Sequence, residues 1–291
     1  MRDLIPYLTG LLVASGSLAA AGSLAASPKT LFERRSDFNH IIVQEKGGLR
    51  SLIFAPIGAI QSAVRPGQPL RLELEYTRSA MIALAAVPNP QSALVVGLGG
   101  GAMPMFLRTL YPEMRIDAVD IDPAVVEVAR RYFGFREDDK LRVHVGDGRA
   151  FVEQATQTYD LIFLDAYGPS SIPRHLATLE FLFAVRARLS PRGLAVGNVW
   201  SADANGLYWS MRQTYEKAFA NLCIYEVPTA GQRIFFASAG ALPETGKLTE
   251  EASRLQRANK LPFDLAALAK AGCSKEPARE AELLRDPPKA R

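Results

Sequence analysis

From residue 93 onward, short apolar runs alternate with stretches of helical spacing. The runs fall at 93–96, 116–119, 141–145, 161–164 and 194–199, and the helical stretches between them at 103–110, 123–133, 149–154 and 176–189. Strands separated by single helices, with no hairpin turn between them, imply right-handed crossovers and a parallel sheet. A further helix at 204–220 leads to 222–227, a turn at 228–232 and a last strand at 233–238. Two strands joined by so short a turn must pair antiparallel.

Before residue 93 the rhythm is different. Runs rich in β-branched and aromatic residues at 38–44 and 49–54 flank Lys46-Gly47-Gly48 and predict a hairpin. Arg65-Pro66-Gly67-Gln68-Pro69 is a turn cluster, and 72–87 has helical spacing up to Pro88. Residues 4–28 carry no charge, with an apolar stretch at 8–14 and Ala19-Ala20-Ala21 as a possible signal-peptidase site. Lys29, Arg34 and Arg35 follow this segment, an asymmetry that places the C-terminal side of a retained anchor in the cytoplasm. Signal peptide and anchor therefore both stand at this point. The organisation expected is a hydrophobic segment (1–27), a small β-rich domain (28–70), a catalytic α/β domain (71–243) and a charged, helix-prone tail (244–291).

Composition narrows the class. Of 291 residues, 48% are hydrophobic and 22% charged, which excludes disorder and collagen-like repeats. The net charge of +4 is spread along the chain, so no basic patch argues for a nucleic-acid partner. Cys223 and Cys273 form no CxxC or Cys/His metal spacing and are read as free thiols, with a disulfide as the alternative. No metal set emerges from His40, His144 and His175, which are assigned surface or packing roles.

The chemistry is concentrated at the ends of the predicted strands. Leu94-Val95-Val96 runs into Gly97-Leu98-Gly99-Gly100-Gly101-Ala102 and then a helix, a turn that lets a ligand approach backbone N–H groups. Gly97, Gly99 and Gly101 are the candidate binding glycines, and Asp120, ending the next strand, suits ribose hydroxyls. The pair also fits a dinucleotide. The third strand separates the two readings, because it ends in Val145-Gly146-Asp147-Gly148. Asp147 can accept from an adenine amino group, and the NAD fingerprint needs no such residue. With the antiparallel ending, this favours a Rossmann-like fold of the S-adenosylmethionine-dependent methyltransferase type, built on a mostly parallel seven-stranded sheet. Asp165, ending the fourth strand, faces the reacting centre and is the candidate base for an amine nucleophile. Tyr167 is read either as bordering the acceptor or as an aromatic packing on the loop.

These residues resemble the spermidine synthase family of polyamine aminopropyltransferases. The resemblance covers roughly residues 31–238. It is carried by Ser36-Asp37-Phe38-Asn39-His40-Ile41, Glu75-Tyr76, the glycine turn, Val119-Asp120-Ile121-Asp122, Gly146-Asp147-Gly148 and 159–165. It implies a small N-terminal β domain, a homodimer, and transfer of an aminopropyl group from decarboxylated S-adenosylmethionine to a small-molecule amine. By the same resemblance Asp120 binds ribose, Asp147 and Gly148 lie at adenine, Asp165 is the base and Tyr76 borders the acceptor. The donor is a substrate; no tightly bound cofactor and no metal is expected.

The departures fall on the amine-binding charges. The family's Asp in the glycine turn falls on Gly100, its second acidic residue after the fourth strand on Gly168, and its His-Glu pair on Thr77-Arg78. A diamine dication needs carboxylates to offset its desolvation, so an altered acceptor is expected. Loss of charge at Gly100, with Arg78 nearby, would also make ordinary S-adenosylmethionine less unwelcome. Three functions follow in order: an aminopropyltransferase with altered acceptor, a methyltransferase, and a non-catalytic nucleoside-binding protein. An enzyme consuming an S-adenosyl donor is expected in the cytoplasm, which tilts residues 4–28 toward an inner-membrane anchor, or a misplaced start codon, over an export signal.

Overall fold

The computed structural model describes residues 27–56, 58–168, 171–228 and 230–288. The segment read as anchor or signal lies, apart from Ser27 and Pro28, outside the described residues. Among the described residues no helix is long and apolar enough to cross a membrane.

The expected hairpin is the centre of a four-stranded antiparallel sheet. It runs β1 (Lys29–Arg35), β2 (His40–Lys46), β3 (Leu49–Ala55) and β4 (Ala59–Val64) in chain order. Lys46 pairs with Leu49, leaving Gly47 and Gly48 as a two-residue turn, both at positive φ. That is the geometry matching the right-handed twist of the flanking strands. Alternate residues Ile41, Val43, Leu52 and Phe54 are buried against Val125, Val128 and Phe133 of the following domain. Each fully buried side chain contributes about 2 kcal/mol, so this face docks the small sheet firmly. A polar pin adds direction. Asp122, fully buried, accepts from Ser36 Oγ at 2.6 Å and Asn39 Nδ2 at 2.9 Å, and caps the next helix through Ala124 N.

The segment at 72–87, expected as one helix, forms two short ones, α1 (Glu75–Ala80) and α2 (Ala83–Ala86). Met81 to Ala85 are all buried, so no exposed face supports a continuous amphipathic helix there. The α/β alternation then follows as expected: β5 (Ser92–Val96), α3 (Ala102–Leu110), β6 (Arg115–Asp120), α4 (Pro123–Tyr132), β7 (Leu141–Val145), α5 (Gly148–Gln154), β8 (Tyr159–Leu164), α6 (Leu179–Ala187), β9 (Leu189–Trp200), α7 (Tyr208–Ala218), β10 (Asn221–Glu226) and β11 (Gln232–Ser238). The seven strands lie in the order β10-β11-β9-β8-β5-β6-β7. β5 through β9 are mutually parallel, and β11 is antiparallel to both neighbours. The mostly parallel seven-stranded sheet with its antiparallel ending is therefore present. Every residue of the central strand β5 is buried, between apolar clusters on either face of the sheet.

The tail is built into the fold. α8 (Thr245–Asn259) and α9 (Leu265–Lys270) lead to Cys273, which forms a disulfide with Cys223 of β10. This corrects the free-thiol expectation. The two cysteines are 50 residues apart in sequence, but the returning helix pair brings their Cα atoms to 5.2 Å. Beyond the bridge an extended strap crosses α7 and α6. Its Leu284 N–H donates to Thr214 Oγ1, its Leu284 carbonyl accepts from Leu179 N, and the Leu284 side chain is buried.

Candidate active site

At the carboxyl ends of the parallel strands lies a cavity of about 400 Å³, shared between the main sheet and the small N-terminal sheet. β5 hands the chain to Gly97, whose φ is +98°. A Cβ there would lie 2.4 Å from the Asp165 carbonyl oxygen, so only glycine allows the turn to pack against the exit of β8. Gly97, Gly99, Asp120, Asp147, Gly148, Asp165, Tyr76 and Tyr167 all line the cavity. Gly101 does not: it is the left-handed residue opening α3, packed against Phe135, and this departs from its assignment as a binding glycine.

Asp120 ends β6 and faces the glycine turn. Its Oδ2 accepts from Leu98 N at 2.9 Å and its Oδ1 from Asp122 N at 3.0 Å. Burial raises its carboxyl to about 6, against the lowering effect of those N–H groups. Asp147 caps α5 through Ala150 N, and its Oδ2 lies 2.8 Å from His175 Nε2. Burial works to raise the Asp147 carboxyl, but the Ala150 N–H and His175 outweigh it and hold it below the usual range. His175 is exposed, as its surface role implies, and it also lines the cavity. The sequence carried no spacing that tied it to Asp147, 28 residues away; the loop after β8 brings it there.

Asp165 sits at the opposite end of this row. Its backbone N–H is fixed to Val96 O, and its carboxylate accepts Tyr76 OH at 2.9 Å and Asn198 Nδ2 at 2.8 Å. Burial pushes the Asp165 carboxyl up to about 7, with both hydrogen bonds pulling the other way. Burial, and the nearby Asp165, raise the Tyr76 and Tyr167 phenols well above 10, so both remain neutral donors. Tyr167 OH donates to Asn198 O at 2.8 Å, and its ring meets Trp200 at a centroid distance of 6.3 Å. Asn198 and Trp200 escaped the sequence reading. The available signal was a carboxamide interrupting the apolar run of β9 at its carboxyl end.

The departures are now concrete. A Cβ on Gly100 would stand 2.8 Å from both Phe133 Cδ1 and Ser62 Oγ, so α4's end and β4 close that position to any side chain. Arg78 turns away: its guanidinium donates to the carbonyls of Leu72 and Glu73 and does not line the cavity. The expectation that it faces the donor is therefore corrected. Among the described residues, the carboxylates that could face a ligand here are Asp120, Asp147 and Asp165, with His175 beside them.

Comparison with known proteins agrees with this layout. A family model described as the spermine/spermidine synthase domain matches residues 76–244. A polyamine aminopropyltransferase of Vibrio vulnificus (strain CMCP6) is 35% identical over 235 residues, 78% of each chain. An eEF1A lysine and N-terminal methyltransferase of Homo sapiens is 31% identical over 233 residues, covering 71% of this chain but only 33% of that longer protein. The crystal structure of a probable spermidine synthase from Corynebacterium glutamicum ATCC 13032 superposes with a TM-score of 0.70 at 21% identity, over 88% of this chain and 96% of that one, a likeness of fold. With a family model spanning more than half its length and an aminopropyltransferase relative covered over most of both chains, this chain belongs to the spermine/spermidine synthase family of transferases.

Proposed function

We propose that the chain transfers an aminopropyl group from decarboxylated S-adenosylmethionine to an amine, and that its acceptor differs from the family's diamine. The observation that carries this reading is Asp165, half-buried in the cavity wall and held from both sides by Tyr76 and Asn198. Asp120 would take the ribose hydroxyls, with Asp147 and Gly148 at the adenine. The neutral amine nitrogen attacks the propyl carbon attached to the sulfonium. A C–N bond forms as the C–S bond breaks, the electron pair returns to sulfur, and 5′-methylthioadenosine leaves. The proton shed by the new ammonium passes to Asp165, whose pKa of about 7 suits a base at neutral pH. Orientation supplies the rest, because no covalent intermediate is needed.

One observation favours a second reading, methyl transfer from ordinary S-adenosylmethionine. The family's turn carboxylate has no room at Gly100, which leaves the intact carboxylate of that donor unopposed, and a methyltransferase stands among the relatives. Incubation with each donor and chromatography of the nucleoside product separates the two. Methylthioadenosine from the decarboxylated donor supports aminopropyl transfer; S-adenosylhomocysteine as the sole product supports methyl transfer and overturns the first reading.

A further inference from the structure

Strand order separates the two ends of the cavity. Asp120 and Asp147 stand at β6 and β7, whereas Asp165 and Asn198 stand at β8 and β9 on the other side of β5. If the former hold the nucleoside, the latter meet the acceptor. At that end Asn198 has one unusual property. Its Nδ2 donates to Asp165 Oδ1, which fixes the orientation of the amide, and its Oδ1 is then buried without a hydrogen-bond donor. The residue is only 6% exposed, so bulk water does not serve that oxygen. A buried acceptor left unpaired is costly, so an amine that shifts the packing over that oxygen as it binds gains a favourable hydrogen bond.

A primary amine supplies what is missing. In its reactive form it has two N–H bonds and one lone pair. One N–H can meet Asn198 Oδ1 and the other the Asp165 carboxylate, which leaves the lone pair free to point at the donor carbon. Among the described residues the rest of that end offers no carboxylate to a second ammonium. Its walls are Tyr76, Tyr167, Trp200 and Ala204, with the neutral side chains of Thr77 and Gln232. Gly168, also on the lining, leaves room that goes unused: a Cβ there would meet only Ser171 O at 3.5 Å, an ordinary contact. A second positive charge would be desolvated among neutral groups, whereas an alkyl or aromatic body would be buried favourably.

We propose that the acceptor is a primary monoamine with an uncharged, largely apolar body, its one amino group held between the Asp165 carboxylate and the Asn198 carboxamide oxygen. This rests on the transferase reading given above and names the substrate class of the same site.

The test is calorimetric titration of n-butylamine and of 1,4-diaminobutane into the full chain preloaded with 5′-methylthioadenosine. Butylamine binds about tenfold or more tightly than the diamine, in line with one ammonium left unpaired. Asn198→Leu, close in volume, weakens butylamine about tenfold while the methylthioadenosine affinity is unchanged. Gly168→Asp, at a position with space for it, raises diamine affinity to or beyond that of butylamine. Equal or tighter binding of the diamine by the wild type overturns the proposal, as does failure of butylamine to bind. So does an unchanged butylamine affinity in a folded Asn198→Leu. Should Asn198→Leu not fold, the wild-type ratio and Gly168→Asp still decide it. Preferential butylamine binding without donor consumption by any amine upholds the monoamine site and sinks the transfer reading instead.

Discussion

Burial holds the Asp165 carboxyl at about 7, so its basic form is gained as pH rises through that value. The rate kcat/KM should therefore climb with pH around 7, and a pH–rate profile of Asp165→Asn should lose that limb along with about a hundredfold to ten-thousandfold of activity. Tyr76 donates to the Asp165 carboxylate and so favours its charged form. Tyr76→Phe removes that help. The ascending limb should move to higher pH in the same profile, while methylthioadenosine affinity changes little. Much of this site was legible beforehand, because carboxylates closing parallel strands announce themselves: Asp120, Asp147 and Asp165 each end a strand or follow it within two residues. Asn198 and His175 were not, since a carboxamide inside a strand and a histidine in a loop acquire meaning only from partners distant in sequence.

Among the elements, the strands of the main sheet were read correctly, the apolar 72–87 segment divides into two helices where one is expected, and β1 and β4 were missed. β1 is a charged edge strand, KTLFERR, mostly exposed, and β4 interrupts its apolar residues with Gln61 and Ser62. Neither shows the pattern of a buried strand, and charge on an edge is what keeps it from pairing further. The tail hid its role for a different reason: an extended strap has no periodicity. It nevertheless reaches the site. Asp286 forms a two-pronged ion pair with Arg149, at 2.6 and 2.5 Å, one residue beyond Gly148. Arg149 in turn donates to the His175 carbonyl at 3.3 Å. Asp286→Asn should raise the dissociation constant for methylthioadenosine severalfold, measured by titration, with Asp286→Glu restoring part of it and amine affinity unaltered. The disulfide closes a 50-residue loop, for which the chain-entropy account gives about 4 kcal/mol. A Cys223→Ser/Cys273→Ser chain should show a clearly lower denaturation midpoint. Such a bridge persists in an oxidising compartment, which pulls against the cytoplasmic expectation drawn from the donor.

For the molecule as a whole, the two raised carboxyls link stability to pH. Asp120 goes from 3.8 to about 6 and Asp165 from 3.8 to about 7 on folding, so between about 4 and 7 the folded chain holds protons that the unfolded chain has released. By linkage their contribution to stability falls as pH rises across that window and levels off above it. Asp165→Asn removes one of these groups. Its stability should therefore gain on the wild type steadily from pH 4 to pH 7, as read by denaturant midpoints. The same burial that weakens the fold equips the site, because it places a base near neutrality beside a nucleoside-sized cavity at the strand ends.

The central claim is aminopropyl transfer to an amine, and mass analysis of the acceptor after incubation with decarboxylated S-adenosylmethionine tests it most directly. An amine carrying one added aminopropyl group, formed by the wild type and lost in Asp165→Asn, is the result this account predicts. An acceptor recovered unchanged, or carrying only a methyl group when ordinary S-adenosylmethionine is supplied, would contradict it.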